Sequence, residues 1–311
     1  MIGKKAEYWQ KFYASTAAFA GMLACSQAAT PAFESDAQKV CSSCEQWNLP
    51  HEPFRIYGNS YYVGVAGLSS ILIASDKGLI VLDGALPQSA PLIAENIRKL
   101  GFRVEDIRLI VNSHTHYDHA GGIAALQRAS GATVAATKES AVALERGEPT
   151  SDDPQHAFGR KLTWFPPVPH ARLVNDDEVL HVGDLAITAH VTPGHTPGGT
   201  TWTWRSCEDK RCLDVVYADS LSAVSAPDFR FTGDEAHPGR IESFNDSIAL
   251  VAGLPCDVLL TPHPEFFDLE SKLRRRQQPG ANPFIDPQAC KAYAATAKLK
   301  LEQRIAEESK R

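Results

Sequence analysis

The 311 residues are 43% hydrophobic and 22% charged, which places the chain among folded globular proteins and excludes a disordered or fibrous one. Thirty-one basic against 37 acidic residues give a formal net charge of −6, so no basic field draws a polynucleotide, and no nucleic-acid partner is expected.

Residues 1–28 read as an export signal. Lys4, Lys5 and Lys11 precede the small and apolar run from Phe12 to Ala24, too short to span a bilayer, and Cys25 and SQAAT follow. Met22 is a poor match to the aliphatic residue that usually stands three before a lipidated cysteine, so cleavage is preferred to a lipid anchor at Cys25. Removing the leader takes away three lysines and Glu7, which leaves 28 basic against 36 acidic residues. Residues 29–311 are expected to form a single domain, monomeric and without stable membrane association unless Cys25 is acylated.

SYYVGVAG and SSILIASD read as strands, and GLIVLDG, 78–84, as a short apolar run bounded by glycines. Leu92, Ile93, Ile97 and Leu100 then show helical spacing, with Gly101 as the stop. IRLIVNS is a buried strand, and SHTHYDHAGG begins at its end. Helix (IAALQRASG), strand (ATVAAT) and helix (KESAVALERG) follow, which means a sheet covered by helices. A Pro- and Asp-rich connection, 148–170, has the length of a lid or substrate wall. EVLHVG, LAITAHVT, TTWTWR and LDVVYAD are strand-like, IESFNDSIALVAGLP is a helix, and CDVLLTPH is a strand ending in His263. DPQACKAY opens a long terminal helix with Asp286 as its N-cap and Pro287 as its first helical residue.

Seven cysteines suit an oxidising compartment. Cys207 and Cys212 flank EDKR at a hairpin tip, and a Cys256–Cys290 bridge would pin the last helix to the body. Cys41 and Cys44 can pair with each other, one can stay free, or one can pair with Cys25.

In an extended segment residues two apart point the same way, so His114 and His116 can grip one ion while Asp118 continues that side. His119 lies just before Gly121 and Gly122, where the backbone can approach a site closely. His195 in TPGHTPGG and His263 in TPHPE also follow strands, the ends at which open α/β folds gather ligands. Five histidines and one aspartate suffice for two metals with three protein ligands each. His170, His181, His190 and His237 read as ordinary surface histidines.

HTHYDH at 114–119, GHTPGG around His195 and TPH ending in His263 resemble the metallo-β-lactamase superfamily, whose αββα sandwich, an α/β fold of two mixed sheets flanked by helices, would run from about Tyr57 to the terminal helix. His119, YADSLSAVS, WTWRSCEDKRC and Cys290 resemble its subclass B3 in particular. The resemblance implies two Zn2+ ions, one on His114, His116 and His195 and the other on Asp118, His119 and His263, with Asp118 orienting a shared hydroxide. It also implies that Ser220, Ser222 and Gln155 bind substrate, and that the activity is periplasmic opening of the β-lactam ring of penicillins, cephalosporins and carbapenems. The alternative is a lactonase or thioester hydrolase, favoured if Asp219 bridges both metals as an aspartate does in glyoxalase-like relatives. Val65 and Ala66 stand where the family often has a further cysteine, which leaves the partner of Cys41 or Cys44 open.

Overall fold

A computed structural model describes residues 33–235 and 238–310; residues 1–28, read above as an export signal, with Cys25 and His237, lie outside the described residues. Its organisation follows from strands that are apolar at nearly every position. In β3 (Ile71–Ser75), β4 (Gly78–Leu82) and β5 (Ile107–Val111), alternate side chains enter two different cores. Ile71, Ile73, Ile80, Leu82, Leu109 and Val111 face the second sheet, while Leu72, Ala74, Leu79, Val81 and Ile110 face a helical layer. A strand buried on both faces has no polar side to show, which is why these runs read as continuous rather than alternating.

These strands join β1 (Phe54–Tyr57), β2 (Ser60–Tyr62), β6 (Thr133–Ala136) and the two-residue β7 (Arg172–Leu173) in a seven-stranded sheet in sequence order. Pairing is antiparallel up to β4 and parallel from β4 to β7. The second sheet has the order β12–β11–β10–β9–β8, from β8 (Val179–Val182), β9 (Leu185–Val191), β10 (Thr200–Glu208), β11 (Arg211–Tyr217) and β12 (Val258–Leu260). Only β11 and β12 pair in parallel there.

After α1 (Cys44–Trp47), the helices α2 (Ala90–Lys99), α3 (Tyr117–Ala120), α4 (Ile123–Ser130) and α5 (Lys138–Arg146) belong to the first half. The short α6 (Arg160–Thr163) interrupts the long connection, and α7 (Ile241–Gly253), α8 (Leu269–Arg276) and α9 (Ala289–Glu308) belong to the second half. Ile93 and Ile97 of α2 and Ile123 and Leu126 of α4 cover one sheet, and Phe244, Val251, Ala294 and Leu301 of α7 and α9 join the core of the other. This is the αββα sandwich. No helix among the described residues is long and apolar enough to cross a membrane.

Two tryptophans fasten the sheets together. Trp202 Nε1 donates to the Asn112 carbonyl at 3.0 Å and Trp204 Nε1 to Ser60 Oγ at 2.8 Å, satisfying indole donors that burial would otherwise leave unpaired. The backbone N–H of Thr200 also donates to the Ser113 carbonyl at 2.7 Å.

Disulfides join Cys207 to Cys212, directly opposite each other in the β10–β11 register, and Cys256 to Cys290. Cys41 pairs with Cys44, the first of the alternatives open for these residues. The terminal helix begins later than expected, at Ala289 with Gln288 as its cap. Asp286 instead accepts from the Gln288 N–H at 3.0 Å, an aspartate-stabilised turn that competes with the capping role.

Candidate metal centre

Asp83 sets the loop that leaves β5. Its backbone has φ of 60°, and its buried carboxylate accepts from Asn112 Nδ2 (2.9 Å), the Ser113 N–H (2.7 Å), Ser113 Oγ (2.6 Å) and Tyr217 Oη (2.8 Å). Burial pushes this carboxyl up to about 7, against the pull of those donors. After β5 the chain bends at Ser113, is extended at His116 and then turns into α3. Expectation and structure differ here: Asp118 does not continue the side of His114 and His116. One helical turn swings it away, so that Asp118 and His119 present themselves together. Two glycines permit the turn, since a Cβ on Gly122 would collide with the Gly84 carbonyl oxygen.

Two triads result. His114, His116 and His195 offer nitrogens, and Asp118, His119 and His263 offer an oxygen and two nitrogens, each set lying within 4.8 Å of one another. The His114 and His119 rings lie 4.4 Å apart between centroids, which brings the triads side by side.

Each imidazole of the first triad has one nitrogen held from outside. His114 Nδ1 meets Asp219 Oδ1 at 2.7 Å, His116 Nε2 meets Asp153 Oδ1 at 3.1 Å, and His195 Nδ1 donates to the Ser222 carbonyl at 2.8 Å. The opposite nitrogens, His114 Nε2, His116 Nδ1 and His195 Nε2, remain to converge, and His114 Nε2 is buried with no hydrogen-bond partner. A histidine fixed at one nitrogen and bare at the other is the arrangement of a metal ligand. In the second triad, Asp118 Oδ2 lies 3.5 Å from His119 Nε2 and 3.4 Å from His263 Nε2.

Burial pushes His114, His119 and His195 far below the ordinary imidazole value, so they stay neutral, the form that binds a metal. Burial acts the same way on His116 and His263, but the carboxylates of Asp153 and Asp118 outweigh it and raise both. Burial would raise Asp118, yet His119 and His263 hold it well below the usual carboxylate range. The donor set, the neutral His114, His119 and His195, the ionised Asp118 and the orphaned His114 nitrogen fit a dinuclear metal centre.

The triads open into a cavity of about 600 Å³. Gln155 lies on the wall from the 148–170 connection, Ser220 and Ser222 line it after β11, and Trp47 of α1 contributes a ring. Ser222 Oγ is 3.3 Å from His195 Nδ1. Asp219 stands behind His114, against the nitrogen that turns away from the other ligands, and burial pushes its carboxyl well above the ordinary value.

Several contributors escaped sequence reasoning. Asp153, two residues before Gln155, touches His116, and the one available signal was the pair of aspartates in SDDPQ. Lys300 and Arg304 of α9 line the same cavity. Lys39 Nζ donates to the Trp164 carbonyl at 3.0 Å and sits 4.7 Å and 4.9 Å from the Tyr117 and Trp164 ring centroids, tying the N-terminal segment to the wall. A further grouping of Asp176, Asp177 and His190 lies at the surface with its groups already engaged: His190 bonds Asp177 and Thr203, and Asp176 accepts from the Val191 N–H.

The family model described as the metallo-beta-lactamase superfamily matches residues 63–263. Among solved structures, the chain is similar to MEM-A1, a subclass B3 metallo-beta-lactamase from a soil metagenome library, at 49% identity and a TM-score of 0.81, covering 85% of this chain and 98% of that one. It is equally similar to the Rm3 metallo-beta-lactamase, at 49% identity and a TM-score of 0.83, covering 87% and 99%. A curated relative, the hydroxyacylglutathione hydrolase of Anaeromyxobacter dehalogenans, is 32% identical over 147 residues, 47% of this chain and 44% of that protein. The chain spans about half the length of the curated relatives it matches.

Proposed function

Because the chain belongs to the metallo-β-lactamase superfamily, we propose that it is a periplasmic, dinuclear zinc hydrolase that opens the β-lactam ring of penicillins, cephalosporins and carbapenems. The observation that carries this reading is the pair of complete triads in a cavity walled by Ser220, Ser222 and Gln155, on a chain 49% identical to two metallo-beta-lactamases over nearly their whole length. His114, His116 and His195 would hold one zinc, and Asp118, His119 and His263 the other. Zinc, when bound, supplies a Lewis acid and brings the pKa of water down to about 7, so no side-chain base is needed at neutral pH.

The chain's own groups do the rest. Asp118, kept ionised by its two histidines, accepts a hydrogen bond from the attacking water and orients it. Ser220 and Ser222 donate to the substrate carboxylate, and Gln155 holds the substrate from the wall formed by the 148–170 connection. Export rests on the leader-like residues 1–28 and the three disulfides.

A thioester hydrolase is the second reading, favoured by the hydroxyacylglutathione hydrolase relative. The place of Asp219, bonded to the outer nitrogen of His114 and not among the atoms of either triad, weighs against the bridging role that reading calls for.

Absorbance loss on adding a penicillin and a carbapenem to purified mature protein tests the proposal. Turnover abolished by a zinc chelator and by His116→Ala is the expected result. Intact drugs, with hydrolysis of a thioester or lactone instead, would overturn it.

A further inference from the structure

The turn after His263 and one face of α9 enclose a second cavity of about 300 Å³, which Ser222, Phe266 and Lys300 share with the metal cavity. Much of its wall is apolar, from Leu221, Leu259, Phe267 and the alanines 289, 292 and 297 of α9. One lining group is out of keeping with such a wall. Lys272 of α8 is only 5% exposed, yet no hydrogen bond or ion pair among the described residues engages its Nζ. The ammonium lies 5.7 Å from the ring centroids of both Phe267 and Phe284.

The Lys272 Nζ is not among the buried side-chain atoms that lack a partner, so it stays open to the cavity; burial of the side chain holds Lys272 below the ordinary lysine value, against the opposing pull of Asp286 and Asp268. The other charged groups on the lining are Arg275, Lys300, Asp268 and Asp286, so the cavity keeps one positive charge in excess. Asp286 already accepts from the Gln288 N–H. A largely apolar chamber with a few charged groups on its lining is the usual form of a small-ligand site, and this volume lies at the lower end of such sites.

We propose that this cavity is a second ligand site, taking a small monocarboxylate with a compact apolar body whose carboxylate pairs with Lys272, and that its occupancy is felt at the metal centre. The coupling runs through two lining residues. Tyr293 Oη accepts from the Leu221 N–H and donates to the Asp219 carbonyl, both at 3.0 Å, and the Ser222 carbonyl accepts from His195 Nδ1. A ligand that shifts Tyr293 or Ser222 therefore moves the neighbours of His114 and His195, and the coupling acts equally in reverse.

The test is calorimetric titration of the folded protein with 4-phenylbutanoate and with its uncharged amide, in the metal-loaded form and after chelation, for the wild type, Lys272→Met and Ala292→Trp. Ala292 is exposed at the cavity mouth, so its replacement blocks the cavity even if Lys272→Met fails to fold. The expected result is carboxylate binding that survives chelation and weakens at least tenfold in each folded variant and for the amide. Binding that vanishes on chelation, or that neither variant weakens, would place the carboxylate on the metals or elsewhere and overturn the proposal. In the cobalt-substituted protein, saturating 4-phenylbutanoate should shift the visible spectrum of the wild type and leave that of Ala292→Trp unchanged; an unshifted wild-type spectrum would overturn the coupling.

Discussion

His116 has two ring nitrogens and two different tasks for them. Asp153 takes Nε2, and that choice leaves Nδ1 for a metal. Asp153→Ala should therefore lower metal affinity by about 10- to 100-fold while His116 itself stays in place, as loss of an outer partner generally does; competition with a chromophoric chelator measures it, and undiminished affinity would show that the contact is idle. Asp83 makes a different prediction. Its folded value of about 7 exceeds the ordinary 3.8, so the folded chain keeps a proton that the unfolded chain has released between those limits. Its contribution to stability is complete below the lower value and lost as pH rises through the upper one. The stability gap between wild type and the non-titrating Asp83→Asn should narrow by ~3 kcal/mol from about pH 5 to about pH 8 in urea melts, and a constant gap would refute the assignment. The ligand candidates were legible because their spacing is rare. Asp153 and Asp83 were not, because an aspartate that orients a neighbour looks in sequence like any loop aspartate.

Elements with strong periodicity or unbroken apolar runs were legible, and short ones were not. α3 is a single turn, too short to show a helical period, so the extended reading of HTHYDH carried Asp118 along the side of His114 and His116, whereas the grouping of Asp118 with His119 and His263 implied by the family resemblance is the one the structure has. β7 has two exposed residues and no pattern at all. Asp286 was misassigned because the same side chain can cap a helix or close a turn ahead of it. The terminal helix matters beyond its packing: Tyr293, one turn after Cys290, holds the loop carrying Asp219 and Leu221. Replacing Cys256 and Cys290 together by serine should cost about 3–4 kcal/mol in denaturant unfolding, from the chain entropy of a loop with sequence separation 34. It should also lower activity, because the Tyr293 clamp loosens. Unchanged stability would mean that the helix is held by its apolar face alone.

At the scale of the whole molecule, the strand and helix pattern told of a sheet covered by helices and the family resemblance supplied the sandwich, whereas the cavities were not legible, since they depend on how distant loops meet. The centre should act as a fastener: any ligand that binds only the folded form stabilises it by mass action, about 4 kcal/mol at a thousandfold excess over Kd. Chelation should lower the melting temperature by several degrees and added zinc should restore it; a chelator-insensitive transition in calorimetry would argue that the loops are rigid without metal. The link between the sheets, residues 174–178, gives the same division a sharper meaning. Each triad draws two members from before that link, His114 with His116 and Asp118 with His119, and one from after it, His195 or His263. Neither half of the polypeptide owns a complete coordination set, so a chain severed at the link would yield two fragments whose reunion is reported by metal uptake. The centre is, in that sense, a built-in complementation sensor.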